Sequence, residues 1–503
     1  EPDRDAWQQA RSFAHRLVGS ALEGQGDSAG ALAEYRESMA IAESQAARAR
    51  EKDGWQELIA YAHTRRGSVL AVRGDKAAAL AEHRAALGIT RQRLARDPGN
   101  ADLQYDVATD QEAVARALEV VGERTAALEE FRGSLAILER LASVDASDVR
   151  VLTDIARRHS QIGNILVTAG DTAGGLTEHQ TALALRERLA ALNPTDASSQ
   201  RDVATTRERL GNLFKAMGRP DDAIASYRAG LAIMERLRAN GGKADWDNDV
   251  AIFHGRIADL FEDRGDLDGA LAEEHVALEA RAALAARDPS NTAWAYQHYA
   301  SRFGIALLLK KKGDLDGALA ELEAALPTIE RLAAADPKDA MNRRALAVGR
   351  KVLGGMKEEK GDHAGALAAL RQALAGTEAL LAIDPDQSTW QQDAQLVHAT
   401  MGLVHWNAKD YAPSLVEYRA ALAIAEKLAA DPADVDAQQG LAVACNDVAD
   451  VLAAQRDLAG ARAGYQRALA IAEALRAKDP SNAMTQAIAK QVRGSLRTCC
   501  GGR

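Results

Sequence analysis

The chain is poor in the residues that announce most kinds of chemistry. Three cysteines, Cys445, Cys499 and Cys500, are too few for a disulfide framework. This slightly favours the cytoplasm over the periplasm or cell exterior, although the compartment stays open. Aromatic residues make up 4% of the chain, and Val and Ile never alternate with polar residues, which argues against strands. No apolar run approaches the roughly 20 residues needed to span a bilayer, so membrane insertion is not expected. Lys and Arg total 62 against 72 for Asp and Glu, so the chain lacks the basic face that nonspecific nucleic-acid binding requires. Gly-rich phosphate loops, nucleophile elbows and kinase signatures are absent, as are His-Glu-x-x-His and Cys-x-x-Cys spacings. The eleven histidines look scattered along the chain, and the vicinal Cys499-Cys500 is by itself a weak metal signal. No catalytic residue, metal or cofactor is expected. The first residue is Glu1 rather than Met, which suggests a processed chain or a segment of a longer one.

What the chain does have is a period. Gly26-Asp27, Gly74-Asp75, Gly122-Glu123, Gly170-Asp171, Gly265-Asp266, Gly313-Asp314 and Gly361-Asp362 recur in step, with Gly218-Arg219, Lys409-Asp410 and Arg456-Asp457 in the remaining slots. Successive steps are 48 residues, with two of 47. Ten copies of one unit make a stacked array, in which each unit buries its apolar face against its neighbours.

The unit reads as a helix pair. Phe303, Ile305, Ala306 and Leu309 have helical spacing between Trp294 and Lys312. Gly313 suits the left-handed position that ends a helix, and Asp314 suits the cap of the next. A second helix is predicted over Leu315 to Ala335. Asp336-Pro337 ends it, because the residue before proline is pushed out of helical geometry.

Small residues recur at fixed offsets. Seven before the turn slot stand only Gly or Ala, from Gly19 and Gly67 to Ala449. Five and twelve after it stand only Ala, Gly or Ser, and thirteen after it Leu occurs nine times and Met39 once. The string Leu210-Gly211-Asn212-Leu213-Phe214, then Gly218, Ala223, Tyr227 and Leu231, resembles the tetratricopeptide repeat, a helix-turn-helix unit of about 34 residues. The resemblance covers nearly the whole chain but departs in length. Pro337 lies 24 residues after Gly313, and Trp7, Trp55, Trp246, Trp294 and Trp390 lie 19 before the turn slot, all further out than in the family. Each helix has gained about two turns. The resemblance implies an all-α, right-handed superhelical solenoid of about ten antiparallel repeats over 1–482, with a capping helix and tail over 483–503. Its first helices are expected to line a concave groove.

Candidate contacts follow from that groove. The five tryptophans share a stripe with core positions and are expected to pack inward. Trp406 is predicted on the groove face, beside Tyr411. One groove chemistry of the family grips a peptide's terminal carboxylate with Asn and basic residues on consecutive first helices. Asn164 and Asn212 match its Asn slots and Arg256 a basic slot. Ser160 and Ile252 fill the other two basic slots, and Arg157 lies one turn from Ser160. Lys310, Lys311, Lys312, Lys351, Lys357 and Lys360 form a basic zone that suits an acidic peptide, or a solvated helix end. Arg73-Gly74-Asp75 and Arg264-Gly265-Asp266 are turns, not adhesion motifs. Pro327 falls mid-helix. The expected function is a scaffold that binds a protein or peptide segment. The rival readings are the interaction region of a larger bacterial signalling protein and self-association through the uncapped amino-terminal repeat, where Trp7, Phe13 and Leu17 begin a full unit at once.

Overall fold

The computed structural model describes residues 2–48, 53–241 and 244–500, without the side chains of 2–5, 244–245 and 500. The Cys500 thiol and the residues after it lie outside that description. Two compact units emerge, Glu1–Asn240 and Gly241–Arg503.

In the first unit, α1 (Pro2–Gly24) pairs with α2 (Ser28–Ala46), and α3 (Asp53–Val72) with α4 (Lys76–Arg96). Then α5 (Ala101–Val121) pairs with α6 (Arg124–Val144), α7 (Val149–Thr168) with α8 (Thr172–Leu192), and α9 (Ala197–Ala216) with α10 (Pro220–Ala239). In the second unit, α11 (Ala244–Asp263) pairs with α12 (Leu267–Arg287), and α13 (Thr292–Lys312) with α14 (Leu315–Ala335). It continues with α15 (Ala340–Glu359) on α16 (His363–Leu381), α17 (Ser388–Asn407) on α18 (Tyr411–Leu428), and α19 (Val435–Ala454) on α20 (Leu458–Lys478). The last helix, α21 (Ala483–Cys500), packs on α20 and α19. No strand occurs among the described residues.

The turns follow from backbone sterics. The eight turn glycines have φ between 68° and 93°, where an ordinary side chain collides with its own backbone. Lys409 and Arg456 occupy the same slot at φ 60° and 67°. The aspartate after the turn caps the second helix. Asp314 accepts from the Gly317 amide at 2.9 Å, and Asp27, Asp75, Asp171, Asp266, Asp362 and Asp457 repeat the bond. Glu123, Arg219 and Asp410 make no such bond.

The crossing of each pair is built on small residues. Those five and twelve after the turn are buried in every copy, as Ala318 and Ala325 are. Opposite the residue seven before the turn stands a larger side chain nine after it. A Cβ on Gly211 would collide with the Tyr227 ring, and Tyr227 is fully buried. Pro327 sits within α14 on an exposed face, and the helix continues through it.

The tryptophans differ from the sequence expectation. Trp55 is buried, but Trp246, Trp294 and Trp390 are half-buried and Trp7 is 60% exposed. All five sit near the start of the lengthened first helices, and Trp390 lines an open groove with Tyr296 and Met341, not a closed core.

Candidate functional site

The two asparagine slots share one groove, on α7, α8 and α9 of the first unit. Asn164 and Asn212 stand at the same offset on α7 and α9, and both are exposed. Together with Arg209, His179, Val167, Thr168, Leu213 and Ala216 they line one groove of about 350 Å³. Tyr227 donates its hydroxyl to Asn212 Oδ1 at 2.6 Å. That bond takes the Asn212 carbonyl oxygen and leaves its Nδ2 without a hydrogen-bond partner among the described residues. Arg209 is exposed one turn before Asn212 and makes no salt bridge among the described residues. His179 forms the floor. Burial, then the charges of Arg209 and Arg186, push its pKa from 6.5 down to about 4, so the ring is neutral. Its Nδ1 is buried and has no hydrogen-bond partner.

The other candidates fall elsewhere. Arg157 does not join Asn164. It lines a separate cleft with Thr153, Ala156, Arg186, Leu189, Ser199 and Asp202, and pairs with Asp154 at 3.0 Å and Glu112 at 3.8 Å. Arg256 is exposed on α11 of the second unit. Lys310 pairs with Glu359 at 2.6 Å, and Lys357 with Glu323 at 3.2 Å. Lys311, Lys312 and Lys360 meet Glu262, Asp268 and Asp316, so most of the basic zone is neutralised in place. Trp406 is half-buried, its ring 5.4 Å from that of Tyr411, against the cluster of Tyr418, Val448 and Val451. Among the described residues no helix is long and apolar enough to cross a membrane.

No protein-family profile and no characterised protein matches the chain by sequence. Solved structures do match it in three dimensions. The apo form of RapI aligns over 83% of this chain and 98% of its own, at 11% identity and a TM-score of 0.50. The apo form of the quorum sensor NprR from B. thuringiensis covers 84% and 99%, at 12% identity and a TM-score of 0.43. A tetratricopeptide repeat protein from Parabacteroides merdae covers 67% and 98%, at 13% identity and a TM-score of 0.38. Identities this low speak to the fold alone. With paired helices and small residues at every crossing, the chain has a tetratricopeptide-like helical-repeat fold.

Within that tetratricopeptide-like frame, two features escape a linear reading. Arg209 is one. It supplies the cation of the Asn groove from the same face as Asn212, three residues earlier, a spacing that could have flagged it. The histidines are the other, and they are not scattered. His15, His63, His159, His254 and His398 all stand eleven before the turn slot. Each places Nδ1 2.5 to 2.7 Å from the Oε2 of a glutamate on its partner helix, Glu34, Glu82, Glu178, Glu273 and Glu417. Gln111 and Arg302 make the same link to Glu130 and Glu321. These are ties between paired helices. Aligning every histidine to the turn slot shows them at once.

Proposed function

We propose that this chain is a protein-binding scaffold whose first-helix face holds a partner segment, with the Asn164–Asn212 groove gripping a carboxylate. One observation carries the reading: two exposed asparagines and an unpaired arginine converge on one groove beside an apolar rim of Val167, Leu213 and Ala216. Amide and guanidinium groups are donors matched to carboxylate oxygens, and Arg can offer two in parallel. His179 is neutral and adds no competing charge. Arg256, Lys310, Lys357 and Trp406 belong to this reading as further contacts along the first-helix faces. An acidic partner must displace the glutamates that now hold the two lysines.

Pull-down with mass spectrometry is the first experiment, followed by titration of the recovered segment with a free or an amidated carboxy terminus. The free acid should bind at least about tenfold tighter, since a hydrogen bond to a charged group contributes roughly 1.5–3 kcal/mol. Asn212→Ala or Arg209→Ala should abolish that difference and leave helicity unchanged. Equal binding of acid and amide would remove the carboxylate reading.

A second reading rests on α1. Trp7 is 60% exposed, Leu17 55% and Val18 47%, an apolar set suited to self-association. Light scattering over a range of concentrations should then show mass rising with concentration, and Leu17→Glu should suppress the rise.

A further inference from the structure

The second unit presents a different surface at the same helical offsets. Thirteen before the turn slot, the first unit has Phe13, Tyr61, Thr109, Arg157 and Thr205, whereas the second has Ile252, Ala300, Val348, Leu396 and Val443. Six before it, the first unit carries Ser20, Ser68, Arg116, Asn164 and Asn212, and the middle of the second carries Leu307, Gly355 and Leu403. Leu396 is 50% exposed, Leu403 43% and Leu307 40%. The polar character of the Asn groove gives way here to an apolar face.

That face is hollowed where α13, α15 and α17 meet. Tyr296, Phe303, Met341, Val348 and Trp390 help to line an open groove of about 470 Å³. Its floor is firm. Tyr299 lies between Tyr296 and Phe303, with ring centroids 6.1 and 5.9 Å away, and donates its hydroxyl to the Ala345 carbonyl at 3.0 Å. A volume of this size falls in the roughly 300–1,000 Å³ typical of ligand clefts.

Charge selects the occupant. Arg344, on the lining, gives its guanidinium to Asp393 at 2.6 Å, so that acid is spent. Lys351 stands one turn beyond Val348 and is half-buried. The five other lysines of the basic zone each meet an acid. Lys351 has no salt bridge or hydrogen bond among the described residues. The charges acting on it are Asp393, already held by Arg344, and Arg344 itself, so two cations share one acid. Burying the second ammonium in part is unfavourable, and a guest carboxylate offsets that cost.

We propose that this groove is a separate docking site for an internal segment of a partner protein, in which a large apolar side chain is followed closely by Asp or Glu. The apolar side chain fills the space between Tyr296, Met341 and Trp390, and the carboxylate meets Lys351. The proposal does not depend on the carboxylate reading of the first unit.

Two capped, fluorescein-labelled peptides test it on the full chain: Ala-Leu-Phe-Glu-Glu-Ala-amide and its Lys-Lys counterpart. Neither carries a terminal carboxylate. Anisotropy titration should give about tenfold tighter binding of the glutamate peptide. Lys351→Glu should reverse the order, and Met341→Asp, at a residue 58% exposed, should weaken both at least about tenfold. Asn212→Ala should change neither, which separates this site from the first. Absent binding, equal binding of the two peptides, or a preference that survives Lys351→Glu would overturn the proposal. Probe-independent association seen by light scattering that Met341→Asp removes would assign the groove to a second copy of the chain instead.

Discussion

Lys409 and Arg456 hold a backbone conformation that glycine holds in the other eight turns, with φ of 60° and 67°. A left-handed non-glycine residue costs roughly 1–2 kcal/mol, while glycine costs unfolded-state entropy. Lys409→Gly and Arg456→Gly should therefore each stabilise by about 0.5–1 kcal/mol, read as a rise in the urea midpoint without a change in slope. His179 supplies a second test at this scale. Its folded pKa of about 4 lies below the ordinary 6.5, because burial disfavours the charged ring. The contribution of His179 is thus fully present above pH 6.5 and is lost as pH falls from 6.5 through 4. The structure shows a better occupant. Tyr227 and Tyr465 stand at the same offset and donate to Asn212 and Asp450 at 2.6 Å, in the relation that His179 bears to Asn164. His179→Tyr should remove on the order of 3 kcal/mol of acid sensitivity between pH 7 and 4, measured as unfolding free energy against pH.

At the scale of elements, the helices are set by their ends. The Gly–Asp turn and the Asp–Pro stop are both written in local sequence, which is why α14 runs over the predicted Leu315–Ala335. Pro327 breaks the local rule and is carried by packing. Its neighbours Leu326 and Ile329 are buried, and the ring faces outward. Proline inside a helix costs about 3 kcal/mol in an ordinary setting. Pro327→Ala should restore the bond to the Glu323 carbonyl and stabilise the second unit by about 1–3 kcal/mol, seen as slower amide exchange across α14. Unchanged exchange would mean that the helix has already relaxed around the ring.

For the whole molecule, the chain divides into two compact units, and within each unit contacts run between helices adjacent in sequence. Stability in such arrays is close to a sum of local and nearest-neighbour contributions. Ile162 is 1% exposed within the cluster of α4, α5, α6 and α7. Ile162→Ala should cost roughly 2–5 kcal/mol and speed amide exchange through those helices, while α15 to α20 keep wild-type rates. Faster exchange throughout both units would show cooperativity across the whole chain.

The amino-acid sequence alone determined the period, the turns, the caps and the small residues at each crossing. These depend on φ, on proline geometry and on side-chain size, which are local properties printed residue by residue. Only the tertiary structure decided which polar groups meet. It set Arg209, not Arg157, beside the asparagines, paired Lys310 and Lys357 with acids, left Lys351 with only the Asp393 that Arg344 already holds, and turned five histidines into ties between helices. The reason is geometric. Such meetings depend on how one helix pair is rotated and staggered against the next, to within about an ångström, and no single segment carries that register.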